Sequence, residues 1–227
     1  MKFEPTEEPQ LVWKANIGSG PSGCVIAEGR LFTVGDSKAA GLDAESGEIL
    51  WQTDIPNTFG TPIFANGRLF LLANVNPVAL CLHAETGELI WSQNLPDAVC
   101  GKDYLHVAAP RVAEDLVYFN SGSGAALRAE SGKLIWSKPG HSGIGTPTVQ
   151  NTGIAFFGPE SLILREPMSG DQLASVHWGM KEPTAAADPL FFGDNVFLSA
   201  GYGKGCALFD LSAKPVKQLW SRPGDES

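Results

Sequence analysis

One pattern recurs along this chain and limits what the chain can become. Leu42-Asp43-Ala44-Glu45-Ser46-Gly47-Glu48-Ile49-Leu50-Trp51 returns as Leu82-His83-Ala84-Glu85-Thr86-Gly87-Glu88-Leu89-Ile90-Trp91. It returns again as Leu127-Arg128-Ala129-Glu130-Ser131-Gly132-Lys133-Leu134-Ile135-Trp136. A worn copy, Arg165-Glu166-Pro167-Met168-Ser169-Gly170-Asp171-Gln172-Leu173-Ala174, has lost the closing tryptophan. Trp13 and Trp220 lie outside these copies but in phase with them. The series Trp13, Trp51, Trp91, Trp136, Ala174, Trp220 steps by 38, 40, 45, 38 and 46 residues. A period near 41 residues suits a four-stranded propeller blade and is too long for a leucine-rich repeat.

Glycine and proline remove the helical alternatives. The 227 residues hold 26 glycines and 16 prolines, and the longest stretch free of both, Arg111 to Ser121, is eleven residues. That is one mean helix of about 11–12 residues, so helical solenoids and coiled coils are excluded. The hydrophobic fraction, 43%, is enough for a core and argues against disorder.

Each period repeats one grammar. A small or proline-led strand opens it, as in Thr61-Pro62-Ile63-Phe64-Ala65, Ala109-Pro110-Arg111-Val112-Ala113, Thr146-Pro147-Thr148-Val149 and Asp188-Pro189-Leu190-Phe191-Phe192. Proline at a strand's first residue removes no ladder hydrogen bond. A tight turn follows, with Asn66-Gly67 the clearest case, because both residues tolerate positive φ. A second strand, a third strand, the Ser/Thr-Gly turn and the tryptophan-bearing fourth strand complete the unit. Runs such as Leu69 to Leu72 and Ser161 to Leu164 lack strict alternation, as expected for sheets buried on both faces. The tryptophans then read as blade-docking residues that fill the gap to the next blade.

The expected fold is therefore all-β: a propeller of four-stranded antiparallel blades. Five blades are present as part of a seven- or eight-bladed ring. Residues 1–10 read as an N-terminal tail and residues 11–227 as the propeller. Leu11-Val12-Trp13-Lys14 reads as a lone fourth strand, and Leu219-Trp220-Ser221 as another fourth strand at the far end. The count does not close into a ring, so the expectation is a propeller truncated at the C-terminus, its remaining blades supplied by further sequence.

The pattern Leu-Asp-Ala-x-Ser/Thr-Gly-x-x-x-Trp, with Pro-x-x-x-x-Gly-x-Leu-Phe upstream, resembles the PQQ-like β-propeller repeat. The block from Asp188 to Leu208 resembles the secreted BamB-like group of that family. The resemblance implies a non-catalytic scaffold that offers loops and edges to a protein partner outside the cytoplasm. Quinoprotein alcohol dehydrogenases share the repeat, so the alternative is a fragment of a PQQ-dependent dehydrogenase with PQQ and calcium as cofactors. A small-ligand sensor module is a third reading. On the scaffold reading the chain carries no cofactor.

The remaining chemistry is sparse. Net charge is −9, which disfavours nucleic acid and anionic membrane surfaces as partners. No apolar run reaches the ~20 residues of a membrane span, so direct membrane insertion is not expected. Met1 to Pro9 is polar and acidic, without the apolar core of a signal peptide. The adjacent Cys-Cys pair of the quinoprotein enzymes is missing, as is the CxxCH of a c-type haem. Cys24, Cys81, Cys100 and Cys206 read as isolated thiols, with a Cys81–Cys100 disulfide left open. His83, His106, His141 and His177 have no zinc-type spacing, so no metal site, catalytic residue or cofactor-binding residue is assigned. The structural set is Trp13, Trp51, Trp91, Trp136 and Trp220. The candidate binding residues lie on the connectors from fourth to first strand, expected together at the channel mouth: Lys102, Tyr104, His106, His141, His177 and Trp178. Loops on a rigid scaffold are where binding residues tend to sit.

Overall fold

The computed structural model describes residues 10–20, 22–56, 58, 60–73, 77–95, 98–99, 108–179 and 187–224. All regular structure within them is β, and no helix there is long and apolar enough to cross a membrane. Five four-stranded sheets follow one another along the chain, each in simple meander order. Blade one comprises β1 (Cys24–Ala27), β2 (Arg30–Gly35), β3 (Lys38–Asp43) and β4 (Ile49–Asp54). Blade two comprises β5 (Ile63–Ala65), β6 (Arg68–Ala73), β7 (Val78–His83) and β8 (Leu89–Asn94). A short strand, β9 (Ala98–Val99), precedes blade three, which comprises β10 (Arg111–Ala113), β11 (Leu116–Phe119), β12 (Ala125–Arg128) and β13 (Leu134–Ser137). After β14 (Gly140–His141) comes blade four: β15 (Thr148–Gln150), β16 (Gly153–Phe157), β17 (Ser161–Arg165) and β18 (Gln172–His177). Blade five comprises β19 (Leu190–Phe192), β20 (Asn195–Ala200), β21 (Gly205–Asp210) and β22 (Lys217–Arg222).

Turn chemistry sets the register. Glu28-Gly29 and Asn66-Gly67 take positive φ at both positions, the type I′ signature that matches strand twist in two-residue hairpins. Every third-to-fourth-strand pair carries a register shift at the same place, after Gly41, Cys81, Ala126, Leu164 and Leu208. The residue left over on the fourth strand is Leu50, Ile90, Ile135, Leu173 or Leu219. Such bulges bend the strand and raise its local twist. The repeat grammar gave no sign of them.

The core lies between blades, not within them. Phe32, Val34 and Ala39 of blade one pack with Leu69, Leu71, Leu80 and Leu82 of blade two. Phe70, Leu72 and Cys81 pack with Val117, Phe119 and Leu127 of blade three. Tyr118 and Ala126 pack with Ile154 and Phe156 of blade four, and Phe157, Leu162 and Val176 with Val196, Leu198 and Phe209 of blade five. Second and third strands of blades one to four are thus largely buried on both faces, which explains their unalternating sequence, whereas β20 and β21 of blade five alternate. The first strands of blades one to four lie side by side.

One expectation is corrected, and one alternative left open is closed. Leu11-Val12-Trp13-Lys14 is not a strand; the described residues offer it no third strand to pair with, and Leu11 and Val12 are about four-fifths exposed (81% and 82%). Cys81 is a free thiol, buried in the interface between blades two and three, so it forms no disulfide. Cys100 lies outside the described residues.

Candidate functional site

The tryptophans act as clamps between blades. Indole Nε1–H of Trp51 donates to the carbonyl of Ala84 at 3.0 Å, and that of Trp91 to Ala129 at 3.0 Å. Trp136 makes the same bond to Pro167 at 2.8 Å. Trp13 reaches Ala44 at 3.1 Å, although its own segment belongs to no blade. Each acceptor stands at one place in the next blade's third turn. Each indole also covers that turn's glycine: a Cβ on Gly47, Gly87, Gly132 or Gly170 would lie 2.4–2.6 Å from the ring of Trp13, Trp51, Trp91 or Trp136. These glycines hold φ near +70° as well. Tryptophan and glycine are therefore one unit split across two blades. Trp220, on the outward side of blade five, meets Phe197 at 6.0 Å and stays 42% exposed.

The interface between blades four and five lacks this unit. Ala174 stands where the tryptophan would be, and the facing turn, Leu211 to Pro215, contains no glycine. A cleft of about 360 Å3 opens there, lined by Leu164, Leu173, Ala174, Phe191 and Leu211 among others. Another tryptophan closes the opposite end of the same interface. Trp178 stacks on Phe157 at 6.1 Å, with Lys204 Nζ 4.9 Å from its ring centroid. Lys204 is anchored by donating to the Gly179 carbonyl at 2.6 Å. Trp178 stands on the connector that follows β18 and is 7% exposed, packed against Phe157.

The connectors that follow blades two and three are zipped together where they are described, because β9 and β14 pair in parallel, Gly140 with Ala98 and His141 with Val99. His141 is exposed on this pair, and His177 is exposed at the end of β18. Lys102, Tyr104 and His106 lie outside the described residues.

Next to His141 a second cleft, of about 280 Å3, enters the seam between blades three and four. It runs from exposed His141 and Glu160 down to buried Asn120, Phe156 and Arg165. Asn120 fixes its wall: Nδ2 donates to the carbonyls of Gly145 (2.9 Å) and Phe157 (3.3 Å), and Oδ1 accepts from Gly143 N (3.4 Å). The Gly122 amide donates to Ser142 Oγ at 2.9 Å. Arg165 was not among the sequence candidates, yet the repeat alignment held the signal. It occupies the position of Leu42, Leu82 and Leu127.

Burial pushes the Cys81 thiol up to about 12. The Asp43 carboxyl is held below its ordinary value by the amide and hydroxyl of Ser46, across the repeat turn. No group of three or more His, Cys, Asp or Glu that could hold a metal ion forms among the described residues.

Comparison with solved structures gives the same architecture. BamB from Moraxella catarrhalis superposes with a TM-score of 0.70 at 15% identity, covering 88% of this chain and 62% of that one. A europium-containing methanol dehydrogenase gives 0.67 at 13%, covering 94% and 53%. Quinohemoprotein alcohol dehydrogenase from Comamonas testosteroni gives 0.69 at 14%, covering 91% and 43%. The chain thus spans less than two thirds of each of these relatives, and at these identities they share its fold alone. No curated protein sequence matches. The family model for the outer membrane protein assembly factor BamB matches residues 6–79 and 71–227. By that match, and by the repeated blades that underlie it, this chain belongs to the BamB family.

Proposed function

We propose that the chain is a non-catalytic interaction scaffold that works outside the cytoplasm and presents its connector face to a protein partner. The observation that carries this reading is the β9–β14 pair, which turns two neighbouring connectors into one surface on blades locked by tryptophan clamps. Membership of a family named for an assembly factor supports it. A rigid platform limits the ordering entropy that a partner must overcome.

The quinoprotein reading rests on fold likeness, and one fold hosts many functions. No group of three or more His, Cys, Asp or Glu gathers among the described residues, and no step through PQQ is derived for them. Photo-crosslinkers at His141 and His177, with one at Glu28 as a control in a first-to-second-strand turn, test the scaffold reading in envelope extracts. The expected result is one stoichiometric adduct from the two connector positions and none from Glu28. Equal labelling at all three positions, or dye-linked alcohol oxidation by the chain supplied with PQQ and calcium, would overturn it.

A further inference from the structure

Arg165 is a charge in a place built for a hydrocarbon. Its counterparts Leu42, Leu82 and Leu127 are fully buried, and Phe209 holds the same register position in blade five. Arg165 is itself 7% exposed. Its Nε–H donates to the Ser123 carbonyl at 2.9 Å and its Nη2 to Ser123 Oγ at 2.7 Å. Its Nη1 donates to the Gly170 carbonyl at 3.0 Å. All these acceptors are neutral. The ion pairs among the described residues are Arg30–Glu85 and Arg128–Asp115, and neither involves Arg165. A buried cation is costly unless an anion compensates it.

The guanidinium has five N–H donors, and three are used. The remaining two, one on each Nη, have no acceptor among the described residues. Arg165 also lines the 280 Å3 cleft, whose wall includes Phe156 and Ile163 as apolar surface and Ser123, Ser161 and Asn120 as neutral polar groups. That volume sits just below the roughly 300–1,000 Å3 of drug-sized sites, so the occupant is small. A planar fork suits carboxylate and phosphate alike. One cation below an acidic rim residue, Glu160, suits a single negative charge rather than a phosphate's two.

We infer that the seam between blades three and four binds a small monocarboxylate, its carboxylate on Arg165 and its apolar part against Phe156 and Ile163. The neutral ties to Ser123 and Gly170 hold the guanidinium ready, and His141 stands at the mouth. This site is independent of the scaffold reading, since it needs no partner protein.

The test is a titration of the 227-residue chain, followed through backbone amide NMR shifts. The probes are benzoate, acetate, inorganic phosphate and, as the neutral control, benzamide. Saturable shifts of Gly122, Ser123 and Gly140 with benzoate are expected, weaker with acetate and absent with benzamide. Arg165→Leu restores the residue of blades one to three, so it should melt no lower than the parent and lose the benzoate shifts. Arg165→Lys keeps the charge but loses the fork, and should bind about tenfold more weakly. It serves if the leucine variant fails to fold. The inference is overturned if no probe gives saturable shifts at these amides, if phosphate binds more tightly than benzoate, or if both variants bind benzoate as the parent does.

Discussion

Blades one to four are joined by one device used three times; blades four and five are joined by another. In the first three interfaces an indole on the outer strand reaches across to a carbonyl and covers a glycine of the next blade. In the fourth, Trp178 and Lys204 close the other end of the seam and leave a 360 Å3 cleft where the indole would lie. The apolar core runs through both kinds of interface. The clamp is therefore not what forms the core. It seals the core's outer edge and fixes the next blade's turn. The glycine is absent from the one interface that lacks the tryptophan, as expected if neither is useful alone.

Breaking a clamp should give the largest effect. Trp136→Ala removes a buried ring that contacts Tyr118 and Phe156, and a loss of about 3–5 kcal/mol is expected in denaturant unfolding. Trp220→Ala, on the uncovered side of blade five, should cost much less. The glycine half of the clamp gives the next effect. Gly87→Ala combines left-handed φ with a Cβ 2.4 Å from Trp51, whereas Gly67→Ala has the same φ and open space. The first should cost about 2–4 kcal/mol and the second about 1 kcal/mol. Equal costs would mean that the glycines serve the turn alone. Ala174→Trp then sharpens the comparison. An indole added opposite a turn without glycine should gain less than about 1 kcal/mol; a full clamp's worth of stabilisation would show that the glycine is dispensable.

The thiols report the same contrast more gently. Cys81 is buried between clamped blades, Cys206 borders the uncovered side of blade five, and Cys24 is exposed. Iodoacetamide should label Cys24 first, Cys206 next and Cys81 only on unfolding. The Cys81 proton also links to stability. Below its ordinary value of 9.0 both states hold the proton; between there and about 12 only the unfolded chain releases it. Stability should therefore fall with rising pH across that window and level off above it. A cysteine-to-alanine variant at position 81 should flatten that fall.

The blades were readable because period, turn glycine and tryptophan are local signals. What the residues could not announce depends on neighbours in space. A segment as apolar as Leu11 to Trp13 becomes a strand only beside another strand, yet Trp13 still clamps blade one, because docking needs an acceptor and a glycine rather than a ladder. The five bulges follow from how each fourth strand meets its third, and the Leu or Ile that stands at each is common elsewhere in the strands. Trp178 looked like a loop residue by sequence position, and only the facing Phe157 shows that it packs. Arg165 was visible as a misfit in the alignment, but its meaning required the cleft beside it.

Blades one and five each border a single described blade, but only blade one is reached by tryptophan clamps. Native-state hydrogen exchange of β2 and β3 against β20 and β21 therefore tests the role of the clamp most directly. The expected result is that blade five opens first, at a lower opening free energy than blade one. If blade one opens first, or if both open at the same free energy, the tryptophan–glycine unit is not what holds neighbouring blades together.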